Sequence, residues 1–204
     1  MRASARAMFE SVLCQLPPFD PAMFEELIEL AIEIAREGRE GRRIGTIFTV
    51  GDSDAVLAHS RPLILDPLAG HAREIRSIHD VNLRGTIKEL AQLDGAFVVS
   101  NDGVFESACR YLDAAGTGVD VPLGLGSRHL AGASITRHTR AAAIVVSQSS
   151  IVRLFCHGDL VAEILPEVWM LNHHRVNVKG AVKEERFEDL AVVTPRLPPA
   201  AGAS

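Results

Sequence analysis

The 204-residue chain is 47% apolar and 23% charged, ordinary proportions for a globular protein with room for one well-buried core. A formal charge of −5 argues against a general nucleic-acid binder, which needs a surplus of Lys and Arg, so no nucleic acid is expected as a partner. No apolar run reaches the roughly 18 to 20 residues of a membrane span, Met1 to Ala7 lacks the apolar stretch of a signal peptide, and Cys14, Cys109 and Cys156 show no C-x-x-C spacing; a soluble, cytoplasmic protein with reduced, buried thiols is predicted.

Met8 to Leu16 reads as a short helix broken by Pro17-Pro18. Asp20 then offers an N-cap acceptor and Pro21 a first helical residue whose missing N–H costs nothing. Phe24, Leu27, Ile28, Ala31, Ile34 and Ala35 follow on one helical face, until Gly38 and Gly41 end the run. Ile44 to Val50 reads as a buried strand closed by the Gly51-Asp52-Ser53-Asp54 turn. Residues 55 to 80 are mixed, with Pro-punctuated loop or short strand at Ser60 to Leu63 and Leu65 to Leu68. A second helix is predicted from about Leu83 to Leu93, delivering Asp94 at its end. Gly95 to Ser100 is a strand, Asn101-Asp102-Gly103 a hairpin turn, and Val104 to Cys109 the returning strand. A Gly- and Pro-rich loop runs through Pro122 to the turn Gly124-Leu125-Gly126, and a helix is predicted from about Arg128 to His138. Ala142 to Ser147 is an apolar strand, and Ile151 to Phe155 and Leu160 to Ile164 form a hairpin.

Interleaved strands and helices, with both hairpins and helical crossovers, predict a single α/β domain: a central mixed β-sheet flanked by helices. Residues 1–41 are expected to form a helical segment packed on a core at 42–166. Residues 167–204 are expected to be a weakly patterned extension whose last ten residues are disordered.

Two stretches carry chemistry. Gly124 and Gly126 let the backbone turn N–H groups toward one point, Ser127 can cap the following helix, and Arg128 adds a planar fork suited to phosphate. The same turn serves equally as a plain loop-to-helix junction with a solvent-facing Arg-His pair. It is neither a Rossmann fingerprint nor a Walker A loop, since the third glycine and the G-K-[ST] are missing. Asp94 lies between a helix and a buried strand, at a sheet end, where with Mg²⁺ or Mn²⁺ it could neutralise phosphate charge; as a turn-capping residue it would need no ligand. Adjacent His173 and His174 point different ways and do not share a metal easily. His59, His71, His79 and His157 read as surface or core residues, and Arg137 and Arg140 as a solvated helix face.

In combination the two stretches resemble the diadenylate cyclase domain family, the catalytic module also found at the N-terminus of the bacterial DNA-integrity scanning protein. That family carries D-G-A and then G-[TSA]-R-H-R, here Asp94-Gly95-Ala96 and Gly126-Ser127-Arg128-His129-Leu130. The resemblance extends from about Ile44 to Ile164 and takes in Ser60-Arg61-Pro62-Leu63, Tyr111-Leu112 and Val145-Val146-Ser147. It implies condensation of two ATP into cyclic di-AMP with release of two pyrophosphates, by two protomers meeting face to face. Asp94 would hold the divalent metal and, with Arg128 and His129, be catalytic. The nucleotide would be held by Gly95, Ala96, Leu112 beside the adenine, Gly126, Ser127, Arg128, His129 and Ser147. Two residues depart from the family pattern: Leu130 replaces the last arginine of R-H-R, and Gln148 replaces the acid of V-S-E. Loss of one cation and one carboxylate weakens the grip on phosphate and metal, so reduced activity is expected; the alternative is a weak or inactive nucleotide-binding signalling protein of the same fold.

Overall fold

The computed structural model describes residues 19–113, 119, 121, 124–165, 182–187 and 190–195. The predicted helix at 8–16, Cys14, Pro122, His173, His174 and most of the expected disordered tail lie outside the described residues. The chain divides into two compact units, 1–166 and 167–204.

The first unit bears out the α/β prediction. Its helices are α1 (Pro21–Glu37), α2 (Ser53–Ala58), α3 (Val81–Leu90) and α4 (Ser127–His138). Its strands are β1 (Thr46–Val50), β2 (Ser60–Pro62), β3 (Ala96–Val99), β4 (Phe105–Leu112), β5 (Ala142–Val146), β6 (Val152–Cys156) and β7 (Asp159–Ile164). They form one sheet in the order β2-β4-β3-β1-β5-β6-β7. Only β1 and β3 run parallel, Phe48 beside Phe97, and α3 lies on the connection between them; every other neighbour is antiparallel.

Helix α1 starts as predicted, with the Asp20 carboxylate accepting from the Ala22 N–H at 3.1 Å. It is more deeply covered than a single stripe requires, because Met23, Leu30 and Ile32 are buried along with the six residues of the predicted face. Its wetter side meets α3, where Glu33 takes Arg84 at 3.0 Å and Lys88 at 2.8 Å. Helix α3 begins at the Asp80 cap and ends at Leu90, three residues before the expected Leu93, so a turn rather than the helix itself presents Asp94.

Alternation along the strands sorts the core into two layers. On one face the rings of Phe48, Phe97 and Phe105 meet at centroid distances of 5.1 to 6.2 Å. On the other, Ile47, Val98, Ala143, Val145 and Phe155 pack with Ala133 and Ile135 of α4. Helix α4 sits low on this face: a Cβ at Gly132 would stand 2.7 Å from a Val145 methyl. Cys109 and Cys156 are both buried, and burial pushes both thiols above their ordinary pKa. Among the described residues no helix is long and apolar enough to cross a membrane.

One helix and one hairpin were not foreseen. Helix α2 occupies the start of the segment read as mixed; it is six residues long and its N-cap, Asp52, has a left-handed backbone and no side-chain cap, so neither periodicity nor capping announces it. In the second unit, strands β8 (Val182–Phe187) and β9 (Leu190–Pro195) form an antiparallel hairpin where little pattern was expected.

Candidate functional site

The amino ends of the parallel pair set the site. Asp94 and Gly95 precede β3 and Gly45 precedes β1. Strand β5 runs opposite to β1, so Ser147 follows Val146 at this same end, and β4 brings Leu112 there because Arg110 pairs with Ala96. The start of α4 completes the group. Residues 94–96, 112, 126–129 and 147 thus share one end of the sheet. It is the amino end of β1 and β3, opposite to the carboxyl end where open parallel sheets usually place ligands.

The two motifs touch. Arg128 Nη2 donates to Asp94 Oδ1 at 3.3 Å, and the Gly95 N–H donates to the same oxygen at 3.1 Å. The Asp94 side chain is 82% exposed and that of Arg128 36%, so this pair is worth at most about 1 kcal/mol and opens at little cost to an entering ligand. The Arg128 fork also lies across Gly45: a Cβ there would be 3.3 Å from Nη1 and 3.2 Å from the Val146 carbonyl oxygen. The sequence reading places Gly45 inside the strand predicted from Ile44 to Val50 and gives it no role, whereas the strand begins one residue after it, at Thr46.

Gly95 has a positive φ of 111°, and a Cβ there would stand 2.6 to 2.8 Å from the Cys109 and Arg110 backbone. Only glycine fits between Asp94 and β4. Ala96 is buried on β3. Leu112 is buried too, packed into the α4-side core instead of lying open at the surface. Beside it the Arg61 guanidinium lies 4.5 Å over the exposed Tyr111 ring.

At the helix start the expectation for Ser127 is corrected. Gly126 is the N-cap, with no side-chain cap, and Ser127 is the exposed first helical residue. The uncapped first turn carries no acidic residue, so its leading N–H donors and positive dipole end favour an anion. His129 is 6% exposed, and its Nε2 accepts from Arg153 Nη1 at 3.1 Å. Ser147 is also buried; its hydroxyl is 2.6 Å from that of Ser149 and donates to the Ile151 carbonyl at 3.1 Å. Leu130 is 41% exposed and Gln148 is exposed, so neither departure from the family pattern is absorbed into the core.

A divalent cation finds one ready carboxylate here, Asp94. Among the described residues no group of three or more His, Cys, Asp or Glu gathers to hold a metal. That suits Mg²⁺, which is commonly held by one or two carboxylates together with substrate phosphates, and does not suit an all-protein cage. A cavity of about 530 Å³ opens at the opposite, carboxyl end of β1 and β3, lined by Asp52, Asp54, Asp102 and Glu106 among others. Arg73 neutralises part of this charge, reaching Asp102 at 2.7 Å and Glu106 at 2.6 Å. Four carboxylates make it a poor seat for a triphosphate, so charge favours the motif end.

Residues 33–160 match the family model DAC, described as DisA bacterial checkpoint controller nucleotide-binding. A protein named diadenylate cyclase from Methanocaldococcus jannaschii is 51% identical over 148 residues, 72% of this chain and 47% of its own length. One of the same name from Haloferax volcanii is 42% identical over 151 residues, 74% of this chain and 55% of its own. The chain thus spans about half the length of these curated relatives. The crystal structure of a hypothetical membrane spanning protein from Bacillus cereus superposes with a TM-score of 0.51 at 20% identity, covering 72% of this chain and 66% of that one, a likeness of fold.

Proposed function

This chain belongs to the DAC family, the nucleotide-binding domain described for the DisA bacterial checkpoint controller, and on that premise we propose that it is a diadenylate cyclase. The observation that carries the reading is the 3.3 Å contact between Asp94 and Arg128, which joins the carboxylate motif to the glycine-turn motif at one end of the sheet. In the proposed reaction the 3′-hydroxyl oxygen of each ATP bonds to the α-phosphorus of the other. The bond from each α-phosphorus to its β-phosphate oxygen breaks, two pyrophosphates leave, and the two hydroxyl protons pass to solvent.

Asp94 with the nucleotide phosphates would hold Mg²⁺ or Mn²⁺, which supplies charge neutralisation and a lowered hydroxyl pKa when bound. Arg128, released from Asp94, offers its fork to phosphate oxygens. The first N–H groups of α4 and the Ser127 hydroxyl meet the same anion. Gly95 keeps Asp94 in place without a side chain of its own, and buried Ser147 braces the turn after β5. Since one protomer carries one such end, two must meet face to face for the symmetric reaction. Positioning and charge do most of the work.

The exposure of both Leu130 and Gln148 favours a second reading, in which the chain binds nucleotide but turns it over slowly or not at all. Incubation with ATP and Mg²⁺ or Mn²⁺ followed by product separation discriminates the two. Asp94→Asn should abolish cyclic di-AMP formation while leaving the thermal midpoint within a few degrees, since the carboxylate is exposed and its ion pair weak. Product at the parent rate from that variant would remove Asp94 from the mechanism.

A further inference from the structure

Arg153 is the sole charged residue in the apolar strand β6 and is only 8% exposed. A guanidinium taken out of water is tolerated only where its charge and its donors are met. Here Nε donates to Glu163 Oε1 at 2.5 Å, from the cross-strand partner position on β7, and Nη1 donates to His129 Nε2 at 3.1 Å. Guanidinium has donors and no acceptor, so Nε2 carries no proton and the neutral ring carries it on Nδ1. That nitrogen is buried and makes no hydrogen bond of good geometry, although the Gly126 carbonyl lies close enough to the ring to favour its protonation. The ring is further confined by the edge of Phe155, at a centroid distance of 6.3 Å.

The charged groups around the ring come from three elements: Arg128 on its own helix, Arg153 on β6 and Glu163 on β7. Burial first, then the Arg153 charge and more weakly Arg128, hold the imidazole pKa below its ordinary value; the Gly126 carbonyl and Glu163 pull the other way without winning. His129 is thereby kept neutral in the first turn of α4, next to Arg128 and two residues from Ser127.

We infer that Arg153 is a positioning residue: anchored by Glu163, it locks His129 in the Nδ1–H tautomer and so fixes the first turn of α4, which carries Ser127 and Arg128. The consequence for catalysis rests on the reading of that turn as the phosphate side of the site. The tautomer itself does not.

The test is a long-range ¹H–¹⁵N spectrum of the full chain labelled at histidine, with turnover measured on the same samples. The parent should show His129 protonated at Nδ1 and bare at Nε2. Arg153→Met, similar in length but without a donor, should mix the two tautomers, move the ring's titration toward the ordinary histidine range and lower kcat about tenfold. Arg153→Lys, which keeps charge and one donor, should restore the parent tautomer and most of kcat, a rescue that a packing role would not produce. A proton on Nε2 in the parent, or an unchanged tautomer in Arg153→Met, overturns the inference. Should Arg153→Met fail to fold, Glu163→Gln decides: its side chain is 47% exposed and not needed for the core, and an unaltered His129 signal there removes the anchor. The spectra need no substrate, so a chain that made no cyclic di-AMP would defeat the proposed activity while the tautomer still judged this inference.

Discussion

Gly95→Ala asks whether the glycine of the Asp94-Gly95-Ala96 motif is there for shape. Its φ of +111° is a backbone region that alanine enters at a cost of about 1–3 kcal/mol. The new methyl would also meet the Cys109 carbonyl carbon at 2.6 Å and the Arg110 nitrogen at 2.8 Å, atoms of β4 that cannot swing aside as a flexible side chain would. Forcing a methyl into such a contact costs about a further 1–3 kcal/mol. A loss of about 3 kcal/mol, with a urea slope of about 2 kcal/mol/M, lowers the unfolding midpoint by about 1.5 M. Product formation should fall about a hundredfold, because Asp94 would shift by a fraction of an ångström or more against Arg128. Gly85→Ala is the control. That glycine is exposed in the interior of α3 with nothing near its absent Cβ, so alanine should raise the midpoint by about 0.5 M through helix propensity. A Gly95→Ala protein with the parent midpoint and the parent rate would refute the close-fit argument, since neither the positive φ nor the β4 contact would then be binding.

Specific activity should rise with protein concentration until association saturates, and activity per protomer that stayed flat down to a demonstrably monomeric dilution would refute a face-to-face reaction. Gln148→Glu should raise turnover at saturating ATP and metal, and adding Leu130→Arg should raise it further and not simply additively; restored variants no faster than the parent would show both departures to be neutral. Glu33 is pushed up by burial, but hydrogen bonds and charge from Lys88 and Arg84 outweigh this and leave its carboxyl below the ordinary range. A depressed carboxyl contributes stability that is complete above its unfolded pKa, about 4.3, and is lost as pH falls through the folded value, so the stability gap between parent and Glu33→Gln should close on acidification below about pH 4.3 and stay constant above about pH 6; a gap that widened in acid would reverse the assignment.

Local rules read α1 well because its cap, its first proline and its apolar spacing all lie within one segment and agree. The Asn101-Asp102-Gly103 turn was legible for the same reason, and the structure closes it with the Gly103 N–H on the Ser100 carbonyl at 3.1 Å. The end of α3 was misjudged because Leu93, apolar and in helical phase, is 38% exposed in the turn beyond the helix. Hydroxyl chemistry suggested Ser127 as a cap, whereas the preceding Gly126 takes that place with a φ of −81°, open to any residue. The ends at which Asp94 and Arg128 meet follow from strand order, a long-range property that no single window contains. Arg153 could have been noticed: a lone cation in the apolar run from Ile151 to Phe155, with Glu163 on the returning strand of a hairpin, predicts a cross-strand pair. Its link to His129 could not, because it crosses from β6 to a helix 24 residues earlier.

Gly132 lies one turn along α4 from Arg128, and the helix rests on Val145 there with no room for a methyl. The core face of the helix therefore works as a fulcrum for its exposed beginning. A side chain at 132 would press on the Val145 methyl, so that either Val145 or the helix must shift, and the first turn beside Asp94 rides on that helix. The position of the first turn at the rim thus depends on packing in the hydrophobic interior, and a buried substitution here can disturb Arg128 and Asp94 while leaving both residues in the chain.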